Sequence, residues 1–303
     1  MLTWLKKIYM SVNIHWYPGH MTKAFRIIEE NLKLVDACVE LRDARIPLSS
    51  ANPKIDEIIK NKPRVILLNK ADTADSSSTL AWVQYFKTKN IIAYPIEAVT
   101  GKGLKQMQKA LHDVTEQKRA NYLAKGIKSF TVRAMIIGIP NVGKSTLINT
   151  LNKGKAAKTG DKAGVTRGKQ WIKVAKDLEL LDLPGVLWPK IEDQTGAQYL
   201  AFTGCINDDA IDKPAMIAEL AKYLSVNYPE RLSDRYKVDV NLLIFAGDEP
   251  NGEKIIEEIA RNRGLILSGN RVDINRAGEM LLNEFRGGKL GCFTLDKIPV
   301  SEE

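Results

Sequence analysis

Gly138-Ile139-Pro140-Asn141-Val142-Gly143-Lys144-Ser145 constrains this chain more than any other stretch. The octet fits G-x-x-x-x-G-K-[ST], a loop whose backbone N–H groups converge on a phosphate. It follows an apolar run, Phe130 to Ile139, that reads as a buried strand. It leads into Thr146-Leu147-Ile148-Asn149-Thr150-Leu151, which reads as the start of a helix. Such a loop requires that context, because the anion sits at a helix N-terminus. Lys144 supplies positive charge to the β- and γ-phosphates, and Ser145 offers a hydroxyl to Mg²⁺. Gly138 and Gly143 let the backbone turn and approach closely. Asn141, Val142 and Thr146 complete the expected cradle. The octet lies near the middle of the chain, so the long segment before it needs its own account.

That segment alternates strands and helices. Ala24, Phe25, Ile28 and Leu32 recur at helical spacing and predict a helix from Met21 to about Lys33. Val35 to Leu41 reads as a strand and Asp43 to Ser50 as a loop. Asn52 before Pro53 looks like a cap and a first-turn proline, opening a helix through Ile59. Arg64 to Leu68 reads as a strand ending at Asn69-Lys70-Ala71-Asp72, followed by a helix over Ser78 to Thr88. Ile91 to Ile96 reads as a strand that stops at Glu97-Ala98, and Leu104, Met107, Leu111 and Val114 mark another helix. Residues 116–128 are polar and basic and read as a linker.

Downstream of the octet, residues 152–167 are rich in Gly, Lys and Thr without a period and read as a mobile loop. Trp171 to Val174 and Leu178 to Leu181 read as a hairpin-like pair of strands, the second ending at Asp182-Leu183-Pro184-Gly185. Beyond Pro189 the spacing is helical, in Met216, Leu220 and Leu224, in Ile255 and Ile259, and in a helix capped by Asp273 and stopped by Gly287. The expected fold is α/β: a doubly wound, mostly parallel sheet over residues 1–189, then a small, mainly α-helical domain over 190–303.

The strand ends carry the chemistry. A carboxylate at Asp72 can accept two hydrogen bonds, from N1–H and the 2-amino group of guanine, where adenine offers neither donor. Lys70 can lay its stem along the base, Asn69 can tie this loop to the phosphate loop, and the Ala98 N–H can meet guanine O6. Asp182 can hold Mg²⁺ through water, and the Gly185 N–H can reach a γ-phosphate. Thr166 can add a hydroxyl to the same Mg²⁺, with Thr159 as its competitor. A generic P-loop ATPase is the alternative; GTP and GDP are the expected ligands.

Composition narrows the setting. Residues 1–189 hold 31 Lys and Arg against 16 Asp and Glu, whereas residues 190–303 hold 14 against 20. The basic part is either a solvated surface or the footprint of a phosphate-rich partner such as RNA. No apolar run is long enough to span a bilayer, and the N-terminus lacks a secretory signal's long apolar core and cleavage site. Cys38, Cys205 and Cys292 are widely spaced, form no C-x-x-C pair, and read as reduced thiols without zinc. A cytoplasmic monomer that is not membrane-bound is expected.

These motifs are those of a GTPase in an unusual order, with N-K-A-D and E-A ahead of the phosphate loop. The chain resembles a circularly permuted GTPase, a rearrangement the sheet tolerates because strand ends, not chain order, build a doubly wound site. Trp16-Tyr17-Pro18-Gly19-His20-Met21, Asp43-Ala44-Arg45-Ile46-Pro47 with Asn52-Pro53, and the octet itself are similar to the ribosome biogenesis GTPase A family, also called YlqF or RbgA. The resemblance covers nearly the whole chain, more weakly after about residue 190. It implies a factor that binds a late precursor of the large ribosomal subunit, both rRNA and ribosomal proteins, and couples GTP hydrolysis to its maturation; a GTP-dependent RNA scaffold with incidental hydrolysis is the alternative.

The resemblance also bears on catalysis. Val186 stands where many GTPases carry a water-orienting glutamine, and valine cannot orient water. Low intrinsic turnover, raised by the ribosomal particle, is therefore expected. The family points to His20 as the catalytic replacement, an imidazole near the γ-phosphate; the other reading is a turn histidine packed on Trp16 or Tyr17. Asn141 suggests K⁺ beside the phosphates, as in similar permuted GTPases, or else only shapes the loop. Ala163 replaces a common proline and Glu97 a common serine.

Overall fold

The computed structural model describes residues 19–60, 62–127, 129–152, 170–183, 185, 193–239 and 250–299, with side chains from Phe25 onward. They form two compact units, one ending before residue 192 but taking back residues from Thr294 onward, the other holding the residues up to Phe293.

In the first unit β1 (Ala37–Asp43), β2 (Arg64–Asn69), β3 (Ile92–Pro95), β4 (Val132–Ile137), β5 (Gln170–Ala175) and β6 (Leu178–Asp182) form one sheet in the order β3-β2-β1-β4-β6-β5. All neighbours pair in parallel except β5, which runs antiparallel to β6 as a hairpin. Every residue of β1 is buried, as expected of a central parallel strand covered on both faces. The helices are α1 (Gly19–Leu32), α2 (Pro53–Ile59), α3 (Ser76–Thr88), α4 (Leu104–Ala124) and α5 (Lys144–Asn152). Ile28 of α1 and Ile55 and Ile59 of α2 pack on Cys38, Met135 and Leu181. Trp82 and Phe86 of α3 pack on Ile66, Leu68 and Ala93.

Local chemistry sets the helix starts. The Asn52 side chain accepts from the Lys54 N–H at 3.1 Å, with Pro53 in the first turn. Asp75 accepts from the Ser78 N–H at 2.7 Å, so α3 begins slightly before the expected Ser78. The expected linker over residues 116–128 is instead helix as far as Ala124. Its Glu, Gln, Lys, Arg and Ala are good helix formers, and no breaker intervenes before Gly126. The polarity that read as a linker belongs to a solvated helix end.

Register aligns the strand ends that matter. Asp43 lies beside Asn69, Leu68 beside Pro95, and Ile136 beside Asp182. The carboxyl ends of the parallel strands therefore share one edge, where open α/β sheets bind ligands.

The second unit contains α6 (Gln194–Phe202), α7 (Lys213–Asn227), α8 (Pro229–Tyr236), α9 (Gly252–Asn262) and α10 (Ile274–Arg286), with a small hairpin of β7 (Ile266–Leu267) and β8 (Arg271–Val272). It is mainly helical, as expected. Leu220 and Leu224 of α7, Ile255 and Ile259 of α9, and Leu281 and Phe285 of α10 are buried. Asp273 caps α10 through the Arg276 N–H at 3.0 Å. Arg286 hydrogen-bonds the Phe202 and Ala201 carbonyls that end α6, and pairs with Asp208 at 2.8 Å.

One assignment differs from the sequence reading. The last described residues, expected in the helical domain, belong to the first unit. The Leu295 N–H donates to the Arg45 carbonyl at 2.8 Å, and Ile298 packs on the cluster around Trp82. This segment forms neither helix nor strand, so it carries no period to reveal its partner. The 189/190 boundary lies outside the described residues. No helix among the described residues is long and apolar enough to cross a membrane.

Candidate nucleotide site

The phosphate loop turns as its glycines require. Gly143 has φ +102° and Gly138 φ +151°, and a Cβ on Gly138 would stand 2.6 Å from the Leu41 carbonyl oxygen. Asn141, between them, is also left-handed at φ +60°. Such alternation turns successive N–H groups toward one concavity, and α5 begins at Lys144. Lys144 is 8% exposed. Its Nζ donates to the Gly138 carbonyl at 2.8 Å and the Ile139 carbonyl at 2.7 Å, holding the ammonium over the loop. Ser145 is half-buried in the first turn of α5, and Val142 is buried behind the loop.

Asn69 ties this loop to the loops before it. Its Nδ2 donates to the Val142 carbonyl at 2.7 Å, and its Oδ1 accepts the Ala98 N–H at 2.9 Å. A Cβ on Gly143 would collide with that amide. The tie expected of Asn69 is thus present. The Ala98 N–H, which the sequence assigned to guanine O6, is used here to hold Asn69. Glu97, in place of a serine, accepts from Lys102 Nζ at 2.8 Å and Thr100 Oγ1 at 3.0 Å and closes the turn after β3. Lys102 and Thr100 together hold its carboxyl below the usual range.

Lys70 and Asp72 follow Asn69 on the same loop. Asp72 is exposed. Lys70 is left-handed at φ +61° and pairs through Nζ with Asp43 Oδ2 at 3.0 Å. Asp43, fully buried at the end of β1, also takes a two-pronged contact from Arg45, at 2.9 Å to Nε and 2.7 Å to Nη2. Burial alone would raise the Asp43 pKa. The charges and hydrogen bonds of Arg45 and Lys70 outweigh it and hold the carboxyl well below the usual carboxylate range. The expectation of a loop over Asp43 to Ser50 gives this pair no role, and Asp43 instead ends β1. The signal was an aspartate two residues before an arginine at a strand end, legible only once β1 is known to lie beside β2.

Asp182 ends β6 with 5% exposure, next to the strand that leads into the phosphate loop. Gly185 lies against that loop: a Cβ there would stand 2.6 Å from Lys144 Nζ and 3.2 Å from Pro140 Cα. The carboxylate of Asp182 and the hydroxyl of Ser145 are hard oxygen donors, which suit Mg²⁺. Among the described residues no group of three His, Cys, Asp or Glu side chains could hold a metal alone. Thr166, Thr159, Ala163 and Val186 lie outside the described residues, as does the His20 side chain, although His20 itself falls in the first turn of α1.

The geometry is that of a phosphate-binding loop tied through Asn69 to the loop after β2, and relatives decide its family. Over 283 residues the chain is 47% identical to ribosome biogenesis GTPase A of Bacillus cereus, covering 93% of each protein. The chain belongs to the ribosome biogenesis GTPase A family. It is 32% identical to the Thermotoga maritima member over 95% of this chain and 97% of that one. Residues 133–260 match the family described as 50S ribosome-binding GTPase. Among solved structures, GDP-bound TM YlqF superposes with a TM-score of 0.62 at 28% identity, over 90% of this chain and 99% of that one. The GNP-bound YlqF from T. maritima gives 0.60 at 29% identity, over 91% and 100%. As a ribosome biogenesis GTPase A, the chain binds guanine nucleotides, hydrolyses GTP and acts in ribosome biogenesis.

Proposed function

We propose that the chain binds a late precursor of the large ribosomal subunit and couples GTP hydrolysis to a step of its maturation. The carrying observation is the match, over 93% of each chain, to a relative named ribosome biogenesis GTPase A, together with the 50S ribosome-binding description of the family matched by residues 133–260. The excess of Lys and Arg in residues 1–189 suits an rRNA partner, since each neutralised phosphate releases counterions. The site is read as a circularly permuted one, with the base loop supplied ahead of the phosphate loop. We read the protein as a cytoplasmic monomer.

In this reading Asp72 takes the guanine edge, Lys70 lies along the base, and the phosphate-loop N–H groups with Lys144 hold the phosphates. Ser145 and Asp182, with Thr166, would hold Mg²⁺, and the chemistry such an ion would supply when bound is neutralisation of charge on the phosphate oxygens. Asn141 borders a site for K⁺. His20 orients the attacking water in place of the glutamine that Val186 replaces, and completes its site on the ribosomal particle. Turnover is accordingly slow alone and faster with particles.

Two measurements test this. Cosedimentation with precursor and mature large subunits, using GTP analogue and GDP in parallel, should show binding that prefers the precursor and the triphosphate. GTP turnover should rise on adding particles, and His20→Ala should abolish the rise while sparing nucleotide affinity. Equal turnover with and without particles would refute the coupling.

A further inference from the structure

Behind the base loop lies a chain of contacts that reaches the C-terminal segment. Asp43 and Asn69 are register partners on neighbouring strands, and the Ala44 N–H donates to the Asn69 carbonyl at 2.7 Å. The end of β1 is therefore fixed to the backbone of the base loop just before Lys70. The Asp43 carboxylate then reaches Lys70 Nζ at 3.0 Å while gripping Arg45 with both oxygens. Left-handed backbone is disfavoured for lysine, so the conformation of Lys70 is imposed by its surroundings. An ammonium shared with a buried carboxylate has one fixed direction, and the aliphatic stem leading to it is fixed as well.

The loop that carries Asp43 and Arg45 is held from outside by the C-terminal segment. Asp296 Oδ2 accepts the N–H groups of both Leu48 and Ser49 at 2.7 Å, and its Oδ1 accepts Ser49 Oγ at 2.5 Å. The Leu295 N–H closes on the Arg45 carbonyl at 2.8 Å. Thr294 Oγ1 accepts the Asp75 N–H at 3.2 Å, at the cap of the helix that follows the base loop. Residues 294–296 thus bind both loops that frame Lys70.

We propose that Asp43 is a positioning residue that aims Lys70 at the nucleotide base, and that Thr294 to Asp296 form a strap that holds the Asp43 loop in place. The proposal rests on the reading of Lys70 and Asp72 as the base pocket. A carboxamide at position 43 keeps the shape but removes the charge that offsets two cations, so Lys70 is released. The strap acts one step further back and more weakly, through the neutral N–H groups of Leu48 and Ser49 and the Ser49 hydroxyl.

A double-mutant cycle on GDP affinity in the full-length protein is the test. Asp43→Asn should raise the GDP dissociation constant about tenfold or more, and Asp296→Ala by a few-fold. In a Lys70→Ala background neither change should add more than about twofold. Equal losses with and without the Lys70 side chain would show general damage and overturn the proposal, as would an Asp43→Asn protein of unchanged affinity. Should Asp43→Asn fail to fold, the Asp296→Ala cycle decides by the same criterion. Asp72→Asn is the control for the pocket. If it turns preference toward xanthine nucleotides, failure of the cycle condemns the positioning role alone. If it does not, the pocket reading falls and takes the proposal with it.

Discussion

The Asn69 amide nitrogen donates to the Val142 carbonyl at 2.7 Å, across 73 residues of chain. With its oxygen on the Ala98 N–H, one side chain joins the base loop, the phosphate loop and the turn after β3. In chain order these are distant pieces; at the sheet edge they are neighbours.

Asn69→Ala deletes both bonds and leaves the Val142 carbonyl and the Ala98 N–H without this partner. Each orphaned buried group costs about 1–3 kcal/mol. The loss should appear mainly in the site, because the sheet pairing around Asn69 is backbone-made. GDP affinity should fall about tenfold or more, read by fluorescent-nucleotide titration, with a smaller drop in melting temperature. Unchanged affinity would mean that the loops hold their places without the amide.

Gly185→Ala separates the triphosphate from the diphosphate. The new Cβ would stand 2.6 Å from Lys144 Nζ and 3.2 Å from the Pro140 backbone. The lysine end can move, but the proline backbone cannot move as readily, so Gly185 must swing away from the loop. The affinity for a non-hydrolysable GTP analogue should drop about tenfold, ~1.4 kcal/mol. GDP affinity should change much less, since the Gly185 N–H is assigned to the γ-phosphate alone. Equal losses for both nucleotides, measured by calorimetry, would remove Gly185 from that assignment.

Much of this arrangement is legible in the chain because its signals are local. Asn52-Pro53 announces α2, and the octet from Gly138 announces strand, loop and helix at once. The tie from Asn69 is readable because its partner loop is recognisable on its own. Asp43 with Lys70 is not readable, since the pairing depends on β1 lying beside β2. The strap at Thr294 to Asp296 is less readable still: a segment outside helix and strand, without a period, gives no clue to what it covers. The helix end beyond residue 116 misled for the opposite reason, because a solvated helix and a polar linker share a composition.

The helical unit carries a pH-dependent contact. Glu284 accepts from Arg235 at 2.8 Å and from the Tyr236 hydroxyl at 2.7 Å. The Arg235 hydrogen bond is the main cause that lowers its pKa from the ordinary 4.5 to about 2, against the opposing effect of burial. A carboxyl depressed in the folded state stabilises it fully above the unfolded value and loses that contribution as pH falls through the folded one. Melting temperature should therefore fall more steeply between pH 4.5 and about 2 in the natural protein than in Glu284→Gln. Parallel curves in differential scanning calorimetry would show that the carboxylate contributes nothing there.

Gly252 tests packing in the same unit without touching a charge. It is buried in the first turn of α9, and a Cβ on it would overlap the carbonyl of Ala218 in α7. Its backbone needs no glycine for conformational reasons, so the close approach of the two helices is what excludes a side chain. Gly252→Ala would favour the helix locally, by up to ~1 kcal/mol relative to glycine. The clash is with backbone, which cannot rotate out of the way, and overpacking of this kind costs about 1–3 kcal/mol. Overpacking should win, lowering the melting temperature of the helical unit while GDP affinity stays as it was. A variant more stable than the natural protein would show that α9 can withdraw from α7 at little cost.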